Sequence, residues 1–136
     1  MTIFVDTSAF LALLDVADVG YSSAFPAWRR GIDDDTGFVT TNYVVLETVA
    51  LAQRRIGVDA VRALCDELLP MVEILWVADD IHDEGLDLLL LANRRRLSLV
   101  DCVSFAVMRR HGIREYLGLD PHFAEHGFTP VAQTGE

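Results

Sequence analysis

The sequence contains no lysine, because all 11 of its basic residues are arginine. This absence excludes Schiff-base chemistry and a phosphate-binding loop of the Walker type, since both depend on a lysine. The chain has only 2 cysteines, Cys65 and Cys102, and each lies in an apolar helical context. We expect small buried thiols rather than a disulfide, as is typical of proteins in a reducing compartment.

The chain also lacks any uncharged apolar run near the roughly 18 residues that a membrane helix needs. Its first residues contain no basic region of the kind that begins a secretory signal. We therefore predict a cytoplasmic protein without a membrane partner. The length of 136 residues fits one domain, predicted over residues 1–132, with a short disordered tail at residues 133–136.

The net charge of −10 disfavours non-specific binding to nucleic acid, which depends mainly on basic side chains. The arginines are nevertheless clustered, at residues 29–30, 54–55, 94–96 and 109–110. Such patches can guide a phosphodiester across an acidic surface, but they are equally typical of the solvated C-terminal ends of helices. The acidic run at residues 33–35 predicts a solvated loop.

Short apolar segments alternate with amphipathic ones along the chain, which predicts an α/β fold. Parallel strands joined by helices bury both faces of their sheet, so we expect a mainly parallel central sheet with helices on both sides. The predicted strands cover about residues 3–5, 38–39, 73–77, 114–117 and 128–129. The predicted helices cover about residues 9–14, 21–32, 42–55, 58–69, 80–93 and 97–111, with a short last helix from residue 120.

Two acidic residues follow predicted strands, Asp6 directly and Asp120 after one turn. Ligands of open parallel sheets bind at the carboxyl ends of the strands, so both acids are candidate functional residues. Each could instead cap the helix that follows it, and Pro121 after Asp120 is typical of such a cap. A cap uses one carboxylate oxygen and leaves the other free, so the two roles are compatible.

Two further acids lie in predicted helices with apolar surroundings. The helix of Asp101 is apolar on nearly every side, although Ser98 three residues earlier also fits a capping box. Glu47 has no basic residue three or four positions away that could pair with it, and simple solvent exposure is its alternative. Since a buried acid must be paired, neutralised or metal-bound, we interpret Glu47 and Asp101 as metal ligands.

Together these acids form a predicted catalytic and metal-binding set of Asp6, Glu47, Asp101 and Asp120. Oxygen ligands from different elements suit a hard cation such as Mg²⁺ or Mn²⁺. Such a site promotes hydrolysis of phosphodiesters by lowering the pKa of a bound water and by neutralising charge on the phosphate. A bound cation would also reconcile an acidic protein with an anionic substrate.

Hydroxyl groups near these acids are candidates for a supporting role. Thr7, Ser8 and Ser104 could contact the cation through water, and local helix contacts are the alternative for both serines. His122 and His126 are spaced for one helix face, which is a pattern of zinc ligands. No further ligands lie at a spacing typical of zinc, so we do not expect that metal.

Four segments carry these residues in order along nearly the whole chain: Ile3 to Ser8, Thr40 to Glu47, Leu97 to Asp101, and Gly118 to Phe123 with Gly127 and Phe128. As an ordered set they resemble the PIN-domain ribonucleases, and especially the VapC-type toxins of bacterial toxin–antitoxin pairs. The resemblance implies a three-layer α/β/α sandwich and a Mg²⁺- or Mn²⁺-dependent endoribonuclease. It also implies a substrate of structured RNA, a homodimer, and inhibition by a small antitoxin protein.

Carried onto this chain, the acidic quartet of the family corresponds to Asp6, Glu47, Asp101 and Asp120, the last at the position where the family varies most. A cleavage-inactive PIN-like module that binds RNA or protein is an alternative function for the same fold. An aspartyl-phosphate enzyme of the haloacid-dehalogenase type also places a carboxylate at a strand end. That class needs a second aspartate two residues later, where this chain has Ser8.

Overall fold

The structure, a computed structural model, describes residues 1–131. Strands and helices alternate as the periodicity predicts, with ends that differ by a few residues. The strands are β1 (Thr2–Val5), β2 (Gly37–Thr41), β3 (Val72–Leu75), β4 (Glu115–Leu117) and β5 (Thr129–Pro130). The helices are α1 (Thr7–Leu14), α2 (Tyr21–Asp33), α3 (Asn42–Arg55), α4 (Val58–Ala63), α5 (Asp79–Ala92), α6 (Leu99–Arg110) and α7 (Pro121–Glu125).

The five strands form one sheet in the order β3-β2-β1-β4-β5, and every neighbouring pair is parallel. β1 lies in the centre, where Phe4 pairs with Val39 of β2 on one side and with Tyr116 of β4 on the other. The chain therefore adds strands first to one side of β1 and then to the other. The direction of strand addition changes between β1 and β4. Sheets of this kind bind ligands at the carboxyl ends of the strands at such a switch point.

Both faces of the sheet are covered. Ile3, Phe4 and Val5 are consecutive and all buried, although neighbouring residues of a strand point to opposite faces. Helix α6 is the most interior helix, since every residue from Asp101 to Met108 is buried. These features confirm the expected parallel α/β/α sandwich. None of the helices within residues 1–131 is long and apolar enough to cross a membrane.

The segment expected as one helix over residues 58–69 is the main departure from the prediction. Helix α4 ends at Ala63, a π-helical turn follows at Leu64–Leu68, and a 3₁₀ turn covers Leu69–Met71. The N–H of Leu69 donates to the carbonyl of Leu64, which adds one residue to the turn and rotates the later side chains. By contrast, Pro26 lies inside α2 without ending it.

The cysteines are both free thiols, as expected, but only Cys102 is buried. Cys65 lies exposed in the π-helical turn, so the expectation of a second buried thiol was wrong. The acidic run at residues 33–35 is exposed, as predicted, but Asp33 is the last residue of α2 and only Asp34 and Asp35 lie in the turn that follows. The tail predicted at residues 133–136 lies outside the described residues.

Candidate metal centre

Two of the predicted acids meet at the carboxyl edge of the sheet. Asp6 follows β1 directly, and its backbone N–H donates to the carbonyl of Leu117 at the end of β4 at 3.0 Å. Asp120 follows β4 and begins α7. Because β1 and β4 are parallel neighbours, their carboxyl ends lie side by side, which brings both acids to the switch point.

Gly118, between β4 and Asp120, allows this close approach. A Cβ at this position would lie 3.1 Å from the Cβ of Asp6 and 3.2 Å from the ring of Tyr116. Contacts that short are tighter than ordinary van der Waals packing, so a larger residue would push the loop away from Asp6. The absent side chain therefore helps to set the distance between the two acids.

The other two predicted acids reach the same place from helices. Glu47 lies in the middle of α3, and Asp101 lies in the first turn of α6. All four acids line one cleft of about 280 Å³, together with Thr7, Ser8, Leu11, Leu51, Arg96 and Ser98. The structure thus brings the complete predicted quartet together, although the four residues are far apart in the sequence.

Hydroxyl groups at the start of α1 hold two of the carboxylates. The hydroxyl of Thr7 donates to Oε1 of Glu47 at 2.7 Å, and the hydroxyl of Ser8 donates to Oδ2 of Asp6 at 3.1 Å. Ser8 in turn accepts a hydrogen bond from the N–H of Leu119 at 2.8 Å. Ser8 therefore connects the loop after β4 to the acid after β1, a role that the sequence did not predict.

The other two carboxylates are held by the backbone of their own helices. Oδ2 of Asp101 accepts from the N–H of Ser98 at 3.2 Å, which completes the capping box, and Oδ1 of Asp120 accepts from the N–H of His122 at 2.8 Å. Asp6 is the N-cap residue of α1, but its side chain makes no capping hydrogen bond. Each cap occupies one oxygen only, so capping and cation binding are compatible in this cleft.

Burial and mutual repulsion raise the pKa of the innermost acids. Burial, followed by the nearby charge of Asp101, raises the pKa of Asp6 to about 7 from its ordinary value of 3.8. Burial is also the main cause that raises the pKa of Asp101, with a contribution from the charge of Asp120. Without a cation these carboxyls therefore resist ionisation, and a bound cation would relieve their repulsion.

His122 is the residue at this site that sequence reasoning missed. One ring nitrogen of His122 and one oxygen each of Asp101 and Asp120 lie within 4.8 Å of one another, so these three residues could hold a metal ion. The sequence pairs His122 with His126 instead, but the His126 ring stacks on Phe105 and its Nδ1 contacts the His122 carbonyl. The available signal was its position two residues after the predicted acid Asp120.

Ser104 requires a correction. Its side chain is buried, and its hydroxyl donates to the carbonyl of Val100 at 2.8 Å, one turn earlier in α6. Ser104 is not among the residues that line the cleft. A hydroxyl on a buried helix commonly uses the carbonyl four residues before it, so this serine satisfies the helix rather than the site.

The sequence left two interpretations of the arginine clusters open: guidance of a phosphodiester, or the solvated C-terminal ends of helices. Different clusters fit different interpretations. Residues 54–55 and 109–110 occupy the last turns of α3 and α6, where cations favour the helix dipole. Arg110 also forms ion pairs on the surface, for example with Asp80 at 2.8 Å. Arg96 differs, because it is exposed and lines the acidic cleft. It is therefore the arginine best placed to meet an anionic substrate.

The donor set of this cleft fits a divalent cation. Four carboxylates converge there, their own hydrogen bonds occupy one oxygen each, and burial disfavours the charged forms of Asp6 and Asp101. The cleft also has room for several water molecules, at about 30 Å³ for each. Small hard cations such as Mg²⁺ keep some of their waters when they bind carboxylates, so this volume suits them.

We predict that Ser8→Ala weakens cation binding about tenfold, because partners that orient metal ligands typically contribute 10–100-fold to affinity. The change removes the hydrogen bond to Asp6 and leaves the N–H of Leu119 without its acceptor. Titration of the metal-free protein with Mn²⁺ by isothermal calorimetry measures this loss. Ser23→Ala, on helix α2 and outside the cleft, is the matched control, and equal affinity in both variants would contradict the prediction.

Known proteins match nearly the whole chain. The family model of the PIN domain matches residues 3–128. In two strains of Mycobacterium tuberculosis, a protein named 23S rRNA-specific endonuclease VapC20 is 35% identical over 130 residues, 95% of this chain and 97% of the relative. A crystal structure of Mycobacterium tuberculosis VapC20, described as a sarcin–ricin loop cleaving toxin, matches with a TM-score of 0.83 and 34% identity, covering 93% of this chain and 96% of that chain.

Proposed function

The chain belongs to the PIN-domain family and is a ribonuclease of the VapC toxin type. On this basis we propose that its cleft uses Mg²⁺ or Mn²⁺ to hydrolyse phosphodiester bonds of structured RNA. The observation that carries the proposal is the convergence of four acids from four different elements in one cleft at the switch point of the sheet. A chance cluster of surface acids would not include carboxylates as deeply buried as those of Asp6 and Asp101.

Asp6, Glu47, Asp101 and Asp120 are the residues that would hold the cation. When bound, a divalent cation lowers the pKa of a water and neutralises charge on the phosphate and on the leaving oxygen. The chain's own part is to keep the carboxylates oriented before the substrate arrives. Thr7 and Ser8 do this for Glu47 and Asp6 through their hydroxyl groups, and preorganised ligands need no rearrangement during the reaction.

We propose 23S ribosomal RNA as the substrate class, because the relatives that match nearly the whole chain are named for that RNA. We also propose a small antitoxin as the inhibitory partner and a homodimer as the assembly, as the VapC type implies. A ribosomal substrate would place the activity in the cytoplasm. Each of these proposals extends the family assignment and is separately testable.

The test is cleavage of purified ribosomes, naked 23S rRNA and transfer RNA by the metal-free chain with added Mg²⁺, Mn²⁺ or EDTA. Primer extension then maps any cut. We expect one dominant cut in 23S rRNA that appears only with a cation. Cuts confined to transfer RNA would overturn the proposed substrate, and tight RNA binding without any metal-dependent cut would favour the cleavage-inactive binding module instead.

We predict that Arg96→Gln raises the KM for RNA about fivefold and leaves kcat nearly unchanged. An exposed contact between a guanidinium and a phosphate contributes roughly 1 kcal/mol, and a residue at the rim binds the ground state and the transition state alike. Steady-state cleavage of an RNA hairpin measures both constants. The control is Arg95→Gln, an exposed neighbour that does not line the cleft. An equal change in both variants would show only a general effect of charge.

A further inference from the structure

The cleft that contains the four acids also has an apolar part. Leu11 of α1 and Leu51 of α3 line it together with the acids. Both leucines are only partly buried, and neither belongs to the partly buried apolar side chains that pack against the hydrophobic core within residues 1–131. Packing in the core therefore does not explain their position. Their free apolar surface would gain stability from a ligand that covers it.

The two leucines lie one helical turn beyond the acidic part of the cleft. Leu11 follows Thr7 by four residues on α1, and Leu51 follows Glu47 by four residues on α3. Residues at this spacing share one face of a helix and are about 6 Å apart along its axis. The hydroxyl of Thr7 donates to Oε1 of Glu47 at 2.7 Å, which joins the two helices at the level of the acids. The apolar part of the cleft therefore begins directly beside the acids.

A nucleotide fits this combination of acidic and apolar surface. In the proposed function the phosphate that is cut lies at the acids, so the nucleotide attached to it must occupy the adjacent part of the cleft. Every nucleobase has a flat face that packs on apolar side chains. The side chain of leucine neither donates nor accepts hydrogen bonds, so it can cover this face without distinguishing the edge of the base.

We propose, resting on the function proposed above, that Leu11 and Leu51 form a subsite for the nucleobase next to the phosphate that is cut. The base packs against both leucines and thereby positions the RNA over the acids. The subsite accepts every base and favours the larger purines, because the burial of apolar area provides its free energy. It also favours a cut in a loop, where bases are unstacked and their faces are accessible.

The test combines truncation of the leucines with removal of the base. A hairpin RNA that contains the mapped cut is prepared in its natural form and with an abasic ribose immediately before or after the cut. We expect Leu11→Ala and Leu51→Ala each to lower kcat/KM for the natural hairpin about fivefold, since each loses part of the apolar contact. On the hairpin that lacks the base of the subsite, both variants should remain within about twofold of the natural chain.

This comparison separates contact with the base from damage to the fold. A variant that is partly unfolded loses the same fraction of its activity on both hairpins, so the ratio of the two activities is unaffected. Leu46→Ala is the matched control, because Leu46 is an exposed leucine of α3 that does not line the cleft. It should cleave both hairpins at the rate of the natural chain.

Binding of small ligands tests the subsite without cleavage. Nuclear magnetic resonance titrations in Mg²⁺ compare adenosine 5′-monophosphate and adenosine 3′-monophosphate with ribose 5-phosphate, which lacks a base. At least one of the nucleotides should bind the natural chain about fivefold more tightly than ribose 5-phosphate does. Leu11→Ala and Leu51→Ala should each reduce this ratio to about twofold or less.

The outcomes distinguish failure of the subsite from failure of the proposed function. An equal loss of kcat/KM on both hairpins would overturn the subsite, because the leucines would then only support the fold. Unchanged cleavage of both hairpins by both variants would also overturn it and would favour a protein partner as the group that covers the leucines. If the natural chain cut no RNA, the proposed function would fail, and the ratio of nucleotide to ribose phosphate binding would still decide whether the subsite exists.

Discussion

Asp101→Asn should reduce metal-dependent RNA cleavage by about 10³-fold or more, since the charge of a metal ligand is worth several kcal/mol in the transition state and 1.36 kcal/mol corresponds to a factor of about ten. The substitution keeps the shape of the side chain. Its amide oxygen can still accept the N–H of Ser98 that completes the capping box at the start of α6. The loss therefore reports the missing negative charge rather than a damaged helix.

Single-turnover cleavage of a labelled RNA hairpin at saturating enzyme measures the effect on the chemical step. The matched control is Asp79→Asn, which also replaces an acid in the first turn of a helix but lies exposed on α5, outside the cleft. We expect the control to cleave at the rate of the natural chain. Retention of more than about a tenth of the activity by Asp101→Asn would remove Asp101 from the set of essential ligands.

Three of the four acids could be predicted because they break a local pattern, and Asp120 because it follows a predicted strand. Asp6 ends an apolar strand, and Glu47 and Asp101 interrupt apolar helix faces without a basic neighbour. Such residues are expensive to bury, so their presence in apolar segments indicates a function. Their convergence in one cleft follows from the parallel topology, which places the carboxyl ends of β1 and β4 side by side.

Features that depend on tertiary contacts could not be predicted in this way. Whether Ser104 faces the site or satisfies its own helix is decided by a hydrogen bond to Val100, and both outcomes fit the same spacing. The position of His122 behind two acids depends on how α7 packs, which no periodicity encodes. The π-helical turn at Leu64–Leu68 likewise follows from packing, because its sequence is compatible with a regular helix.

In the absence of metal, Asp6→Asn should stabilise the protein at neutral pH, although Asp6 is a proposed metal ligand. The folded chain raises the pKa of Asp6 from 3.8 to about 7, so between these values the folded state keeps a proton that the unfolded state has lost. Stability therefore falls as the pH rises from 3.8 to about 7 and then levels off. At roughly 1.36 kcal/mol per pKa unit, the full penalty is about 4 kcal/mol.

The difference in unfolding free energy between Asp6→Asn and the natural chain reports the titration of this carboxyl together with its repulsion by Asp101. Measured by urea denaturation in EDTA, it should be small near pH 4 and grow to about 4 kcal/mol in favour of the variant above pH 7. Asp34→Asn, at an exposed acid, should show no such trend.

Added Mn²⁺ should then narrow the difference in stability between the two proteins at pH 7.5. A cation at 100 times its dissociation constant stabilises the folded state by about 2.7 kcal/mol, and only the natural chain carries the full set of ligands. The variant should gain far less, so the gap between the two proteins should narrow or change sign as the cation is added. A gap that is independent of both pH and Mn²⁺ would mean that Asp6 is neither repelled by its neighbours nor relieved by a cation. The same buried carboxyl would then contribute nothing to the metal dependence on which the proposed cleavage rests.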